Sequence, residues 1–161
     1  MLASICYQTP LGNMRLRGDE SGLVSAEFTT EASATASSKY PPELPLPLKD
    51  AVVWLDAYFQ EGRQLKRPLL KASGTAFQTA VWNQLLQLPY GQTATYRDLA
   101  LQLGSAPRAV GGAVGRNPLA LFIPCHRILG SRGQLTGYAW GLDRKQWLLN
   151  HERSALVISL S

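Results

Sequence analysis

Cysteine and histidine are scarce in this chain, which has only two of each among 161 residues. Cys6 and Cys125 lie far apart, and with His126 and His151 they show no C-x-x-C or H-x-x-x-H spacing. A disulfide scaffold and a paired-ligand metal site are both excluded on that pattern, and no cofactor is expected. Long apolar runs are lacking too. No stretch is long enough to span a bilayer, and the chain does not open on a charged-then-apolar leader, so a soluble protein of the reduced cytoplasm is expected, with no membrane partner. Acidic residues are rare in the second half. Residues 75–161 carry Asp98, Asp143 and Glu152 against eight Lys+Arg, seven of them arginine, whereas residues 1–74 carry eight of each sign. The whole net charge of +5 therefore lies in one half. Arginine-weighted excess suits phosphates and nucleic acid, although a mildly basic solvated surface has the same composition.

The length allows a real core in one medium domain or two small ones. Ser4–Gln8, the turn Thr9-Pro10-Leu11-Gly12 and Met14–Arg17 read as a hairpin, and Gly22–Phe28 as a further strand. Residues 29–47 are rich in Ser, Thr, Ala and Pro without apolar period, which predicts a long loop. Leu48, Val52, Leu55 and Phe59 then recur at helical spacing up to Gly62. The first module, residues 1–72, is thus a small sheet with one helix. The second, residues 73–161, opens on a capping box, Thr75 to Gln78, ahead of a helix that Pro89 stops. Thr95 to Asp98 repeats the signal for a helix ending at Gly104. Pro107–Arg116 forms the next, closed by Asn117-Pro118, and the pair reads as helix-turn-helix. A last helix spans Leu142 to Glu152.

Two interior glycines in the Pro107 helix each cost about 1 kcal/mol relative to alanine, so something compensates. Close packing against another helix is one reading. The other is a smooth face of Ala109, Gly112 and Ala113 that approaches a nucleic-acid backbone, with Arg108 as its one long side chain. Asn117 before Pro118 either merely stops the helix or also holds the turn through its amide.

Ile123-Pro124-Cys125-His126-Arg127 places a cysteine beside an imidazole and a guanidinium, which lower a thiol's pKa toward neutrality. It follows the apolar run Leu119–Ile123, so Cys125 is expected at a strand end. In extended chain Cys125 and His126 point to opposite faces, and a bridging water is the expected link unless the backbone turns. Glu152 either orients His126, completing a carboxylate, imidazole, water and thiol relay, or pairs with a surface arginine.

Taken together, Gly74-Thr75-x-Phe77-Gln78-x-x-Val81-Trp82, Tyr96, Arg108-Ala109-Val110-Gly111, Asn117-Pro118, Ile123-Pro124-Cys125-His126-Arg127, and Gly137-Tyr138-x-x-Gly141-Leu142 with Lys145-x-x-Leu148-Leu149 resemble the O6-alkylguanine-DNA alkyltransferases, in the stand-alone form without a fused regulatory domain. The resemblance runs from about Thr75 to Glu152. It implies an α+β / α/β fold: a ribonuclease H-like amino-terminal sheet-and-helix module, then a mainly helical, winged-helix-like DNA-binding and active-site domain. It implies direct-reversal repair by a monomer acting on double-stranded DNA that contains alkylated guanine, with O4-alkylthymine left open as a substrate. The nucleotide is flipped through the minor groove and the alkyl group passes irreversibly to Cys125 in a single turnover. His126 and Glu152 complete the relay, Asn117 holds the hinge, and Tyr138 bonds the guanine ring. Arg108 acts as the finger that fills the gap and Tyr96 crowds the phosphate behind it. Ala109, Gly111, Gly112, Ala113 and Arg116 complete the DNA face. Ala139 stands where the family often has serine, so one contact to the base oxygen falls to a backbone N–H. A damage-binding protein without transfer chemistry and a multiple-turnover cysteine hydrolase are the alternatives. The family's binding-only relatives lack the reactive cysteine, which is retained here.

Overall fold

The computed structural model describes residues 2–30 and 42–160, with side chains described to 156. It is an α+β chain that divides into two compact units, Met1–Ser73 with Pro118–Phe122, and Gly74–Asn117 with Ile123–Ser161. Residues 118–122, expected in the second module, therefore pack with the first. Their side chains Leu119, Ala120, Leu121 and Phe122 are all fully buried, and such an apolar run has to be covered by a core.

The first unit is an antiparallel sheet in the order β1 (Ala3–Thr9), β2 (Gly12–Asp19), β3 (Gly22–Thr29), carrying helix α1 (Leu46–Glu61). Thr9 pairs with Gly12, so the expected Pro-containing turn closes the hairpin. Along β2, Met14, Leu16 and Gly18 are buried and alternate with more open residues, the period-2 pattern of a sheet with one covered face. Leu48, Ala51, Trp54, Leu55 and Tyr58 of α1 fill the core. The Trp54 ring stacks on Tyr58 at 5.4 Å and meets Phe122 at 4.6 Å. The helix ends at Gly62, whose φ of 65° is the left-handed cap that glycine takes without strain. Of the loop expected over 29–47, residues 31–41 lie outside the described residues, while Thr29 ends β3 and Leu46 starts α1.

The second unit opens on helix α2 (Ala76–Leu86), with the Thr75 hydroxyl accepting from Gln78 N and the Gln78 side chain accepting from Thr75 N. The same reciprocal box, Thr95 with Asp98, starts α3 (Tyr96–Leu103), which stops at Gly104 with φ 63°. After a short turn comes α4 (Pro107–Gly115), so the helix-turn-helix forms as expected. Trp82 Nε1 donates to Ala113 O at 2.9 Å and ties α2 to α4. A two-residue parallel pair, β4 (Ala94–Thr95) with β5 (Ile128–Leu129), flanks it. The final helix α5 (Leu142–Leu160) runs further than the expected stop at Glu152. Among the described residues no helix is long and apolar enough to cross a membrane.

The Leu119–Ile123 run is not the expected strand. Only Leu119 makes a bridge, to Ala26, and Leu121 has φ 71°, left-handed geometry that interrupts any extended run. Cys125 consequently opens a 3-10 turn, Cys125–Arg127, rather than ending a strand.

Candidate active site

That turn is what gathers the chemistry. Pro124 caps it, and Cys125, His126 and Arg127 are all buried. Two residues in direct sequence thereby point into different surroundings, the thiol toward a cavity and the imidazole toward α5.

Cys125 is 3% exposed, yet it lines a cavity of about 100 Å3 with Tyr96, Gly111, Val114, Gly115, Gly137, Tyr138 and Ala139. Asn117 uses its side-chain amide twice, donating Nδ2 to Ile123 O at 2.8 Å and to Cys125 Sγ at 3.1 Å. It is buried directly after α4, so it links the helix end to the sulfur. The thiol pKa is not lowered, despite the cationic residues beside it in sequence. Burial pushes Cys125 up to about 11, and the bond from Asn117 and the charge of Lys145 oppose this only in part. Taking a thiolate out of water costs more than these neighbours return. At rest the group is a protonated thiol.

His126 is fully buried and its Nε2 lies 2.6 Å from Glu152 Oε2. Glu152 is therefore the orienting carboxylate, not a surface partner. Its other contacts are Arg127 Nε to Oε1 at 2.8 Å, Arg127 Nη2 to Oε2 at 3.2 Å, and the backbone N–H of Gly91 to Oε1 at 2.9 Å. Burial opposes charge on Glu152, but His126 and Arg127 beside it outweigh that and hold its carboxyl far below the usual range. For His126 burial again leads and lowers the pKa; Glu152 pulls it up, while Arg127 and Lys145 push it down. Its Nδ1 is buried with no protein partner, the atom a bridging water to Cys125 would use.

The loop before α5 forms the cavity's other wall. Tyr96 Oη donates to Thr136 O at 3.1 Å, and Lys145 Nζ donates to Thr136 O at 3.2 Å and Gly137 O at 2.9 Å. Lys145 is fully buried, and burial takes its pKa down to about 8 while Cys125 resists. Tyr138 lines the cavity with a hydroxyl that is buried and has no protein hydrogen-bond partner. It edges against Trp140 at 5.3 Å. Burial raises the Tyr138 pKa well above the ordinary phenol value, so the hydroxyl is a donor.

Outside this cavity, a more open cleft of about 470 Å3 shares Tyr96 and Gly111 and adds Arg97, Arg108, Ser131, Gln134 and Thr136. Arg108, Ala109 and Gly112 on α4 and Arg116 just past its end are exposed, and a Cβ added at Gly112 would meet nothing within 4 Å. This is the smooth face the glycines imply. Gly111 is part-buried against Tyr96. Ala113, expected on the same face, is not there: it is 4% exposed and its carbonyl accepts from Trp82. The helical period turns it inward with Val110 and Val114.

Two participants, Lys145 and Gly91, carried no role in the sequence pattern, and Arg127 carried a different one there, as a cationic neighbour of the thiol. Lys145 and Arg127 stand in motifs that resemble the family, but nothing in a linear pattern tells a buried cation from a surface one. Gly91 acts through its backbone, which no side-chain pattern records. Among the described residues no group of three or more His, Cys, Asp or Glu could hold a metal ion.

Comparison with known proteins bears on both units. Residues 3–69 match the ribonuclease-like domain, and residues 76–154 the DNA binding domain, of 6-O-methylguanine DNA methyltransferase. The methylated-DNA--protein-cysteine methyltransferase of Methanosarcina acetivorans is 41% identical over 150 residues, covering 92% of this chain and 96% of that protein. The protein of the same name from Mycobacterium leprae is 39% identical, covering 95% of this chain and 93% of that one. Among solved structures, the Mycobacterium tuberculosis O6-methylguanine methyltransferase aligns with TM-score 0.79 and 37% identity, over 96% of this chain and 94% of that chain. The Mycobacterium tuberculosis OGT in complex with DNA aligns at 0.80 and 39%, over 93% and 92%. With two domain matches in order and such identity along nearly its whole length, the chain belongs to the 6-O-methylguanine DNA methyltransferase family.

Proposed function

We propose that this chain repairs DNA by taking the alkyl group from O6 of guanine in a duplex onto Cys125, once and irreversibly. The reaction is that of a methylated-DNA-protein-cysteine S-methyltransferase working as a monomer in the cytoplasm. The observation that carries this reading is the buried Cys125 sulfur on the wall of a cavity that also presents Tyr138, Tyr96 and three glycines. An O6-alkyl group lies inside the base stack, so the nucleotide has to leave the helix, at a cost of a few kcal/mol in unstacking. Arg108 on the exposed face of α4 fills the gap, Tyr96 crowds the phosphate, and Ala109, Gly111, Gly112 and Arg116 let the backbone come close; Ala113 supports that helix from within.

In the pocket, His126 Nδ1 takes the Cys125 proton through a water, and the imidazolium is held by Glu152. The sulfur attacks the alkyl carbon. An S–C bond forms as the C–O6 bond breaks, the electron pair stays on guanine O6, and the base takes one proton to become unmodified guanine still joined to its strand. Tyr138 donates to the departing ring, and the N–H beside Ala139 serves where a serine hydroxyl is lacking. The product is a thioether without a leaving group that water displaces readily, so one turnover consumes the protein.

Intact-mass measurement after incubation with a duplex containing O6-methylguanine tests this. One added methyl on Cys125, and none in Cys125→Ser, is expected. Tight binding of damaged DNA without mass change would establish a binding protein instead, and repeated turnover of an ester or amide would establish a hydrolase.

A further inference from the structure

The relay leaves one buried group without a task. Arg127 is fully buried, and its guanidinium is committed on every side: Nε and Nη2 to the two oxygens of Glu152, and Nη1 to Leu88 O at 2.9 Å. Its Cζ also sits 5.7 Å from the centre of the Tyr90 ring. A buried guanidinium is costly to desolvate and a poor choice for stability alone. Its placement is informative, because it shares the one carboxylate that orients His126.

A carboxylate bonded only to a buried imidazole favours the imidazolium. Once protonated, the imidazolium has no lone pair with which to accept a thiol proton. Here the same carboxylate already faces a fixed cation and the Gly91 N–H. With both oxygens engaged as acceptors, Glu152 takes its remaining hydrogen bond from Nε2, which places the hydrogen there and leaves Nδ1 as the acceptor.

Resting on the alkyl-transfer reading, we propose that Arg127 is a positioning residue for that reaction: it balances the charge of Glu152, fixes the Nε2–H form of His126, and keeps the imidazole neutral until the Cys125 proton arrives. The groups facing this pair come from four elements. Glu152 and Lys145 project from α5, Cys125 and Arg127 belong to the same turn as His126, and Tyr90 approaches from the loop after α2. Across the loop before α5, Tyr138 adds a neutral phenol. With Arg127 and Lys145 positive and Glu152 negative, the resting cluster carries one net positive charge. Moving a proton from Cys125 to His126 leaves that sum unchanged, so the transfer separates charge without adding any.

The test begins on the unmodified protein. Nitrogen-15 NMR of the imidazole rings near neutral pH is expected to find His126 neutral with hydrogen on Nε2, and an imidazolium there overturns the proposal. In Arg127→Met, His126 is expected to titrate at least about one unit higher, and methyl transfer to Cys125 to slow about tenfold near neutral pH and recover in mild alkali. Arg127→Lys should restore part of both. A folded Arg127→Met protein whose rate falls equally at every pH, with His126 titrating as before, reduces Arg127 to packing and also overturns the proposal. Should the unmodified protein transfer no methyl group at all, the repair reading fails, while the NMR result still decides the role of Arg127.

Discussion

The side-chain amide of Asn117 donates to the sulfur of Cys125 at 3.1 Å and to Ile123 O at 2.8 Å. One residue thus holds the nucleophile and the chain leading to it. A bond of this kind strengthens when sulfur becomes charged, and hydrogen bonds to charged groups contribute about 1.5–3 kcal/mol. Asn117→Ala is expected to slow alkyl transfer roughly 10- to 100-fold and to raise the thiol pKa further, while binding of undamaged duplex changes little. Single-turnover rates across pH check this; an unaltered rate would show that the amide only stops α4.

Arg108 is exposed and borders the open cleft beside Tyr96. Acting as the group that replaces an extruded base, it matters only where a base must be extruded. Arg108→Ala should therefore lose about 1–3 kcal/mol on duplex substrate and little on free O6-alkylguanine. Competing the two substrates against each other measures the difference, and equal losses would remove the finger role. Arg97→Ala, on the same cleft, should reduce the salt dependence of DNA binding by about one phosphate contact.

Lys145 and Cys125 give stability opposite dependences on pH. Burial lowers the Lys145 pKa to about 8 from an ordinary 10.5, so between those values the unfolded chain holds a proton the native one has released, and stability rises with pH. Burial raises Cys125 to about 11 from 9.0, so over that span the native chain holds the extra proton and stability falls. Urea unfolding should show a rise from pH 8 to 9 and near cancellation from 9 to 10.5. Lys145→Met should lack the rise.

Gly91 has φ 79°, and a Cβ there would lie 2.1 Å from Leu156 Cδ1. Its N–H is one of the donors to Glu152. Gly91→Ala is expected to destabilise by about 1–3 kcal/mol, from the left-handed conformation and the collision together. Adding Leu156→Ala removes the collision and should return only part of the loss, leaving the conformational share, as thermal melting of the single and double variants will report.

Local signals read well from sequence where one residue's chemistry decides the outcome. Thr75 with Gln78 and Thr95 with Asp98 cap their helices as reciprocal pairs, and Gly62 and Gly104 end theirs in the left-handed form. The apolar period placed α1 and the hairpin strands. Tertiary contact decided the rest. The run Leu119–Ile123 has a strand's composition, but the left-handed Leu121 breaks it. Ala113 looked like part of a smooth outer face and turned inward to meet Trp82. The thiol was expected to ionise readily because its neighbours in sequence are cationic, yet burial governs it. Residues 94–95 and 128–129 pair as strands too short to leave any periodic trace. In the site, Cys125, His126, Asn117 and Glu152 meet as expected, while Lys145, Arg127 and Gly91 took their places only in three dimensions.

A reagent that works once gains from being inert while it waits. With its sulfur 3% exposed and its pKa pushed up to about 11, the chain presents oxidants and stray electrophiles with a hidden, protonated thiol of low reactivity. The same burial that makes ionisation hard therefore shields the sulfur, and on the alkyl-transfer reading the cavity it lines is where a flipped base has to arrive.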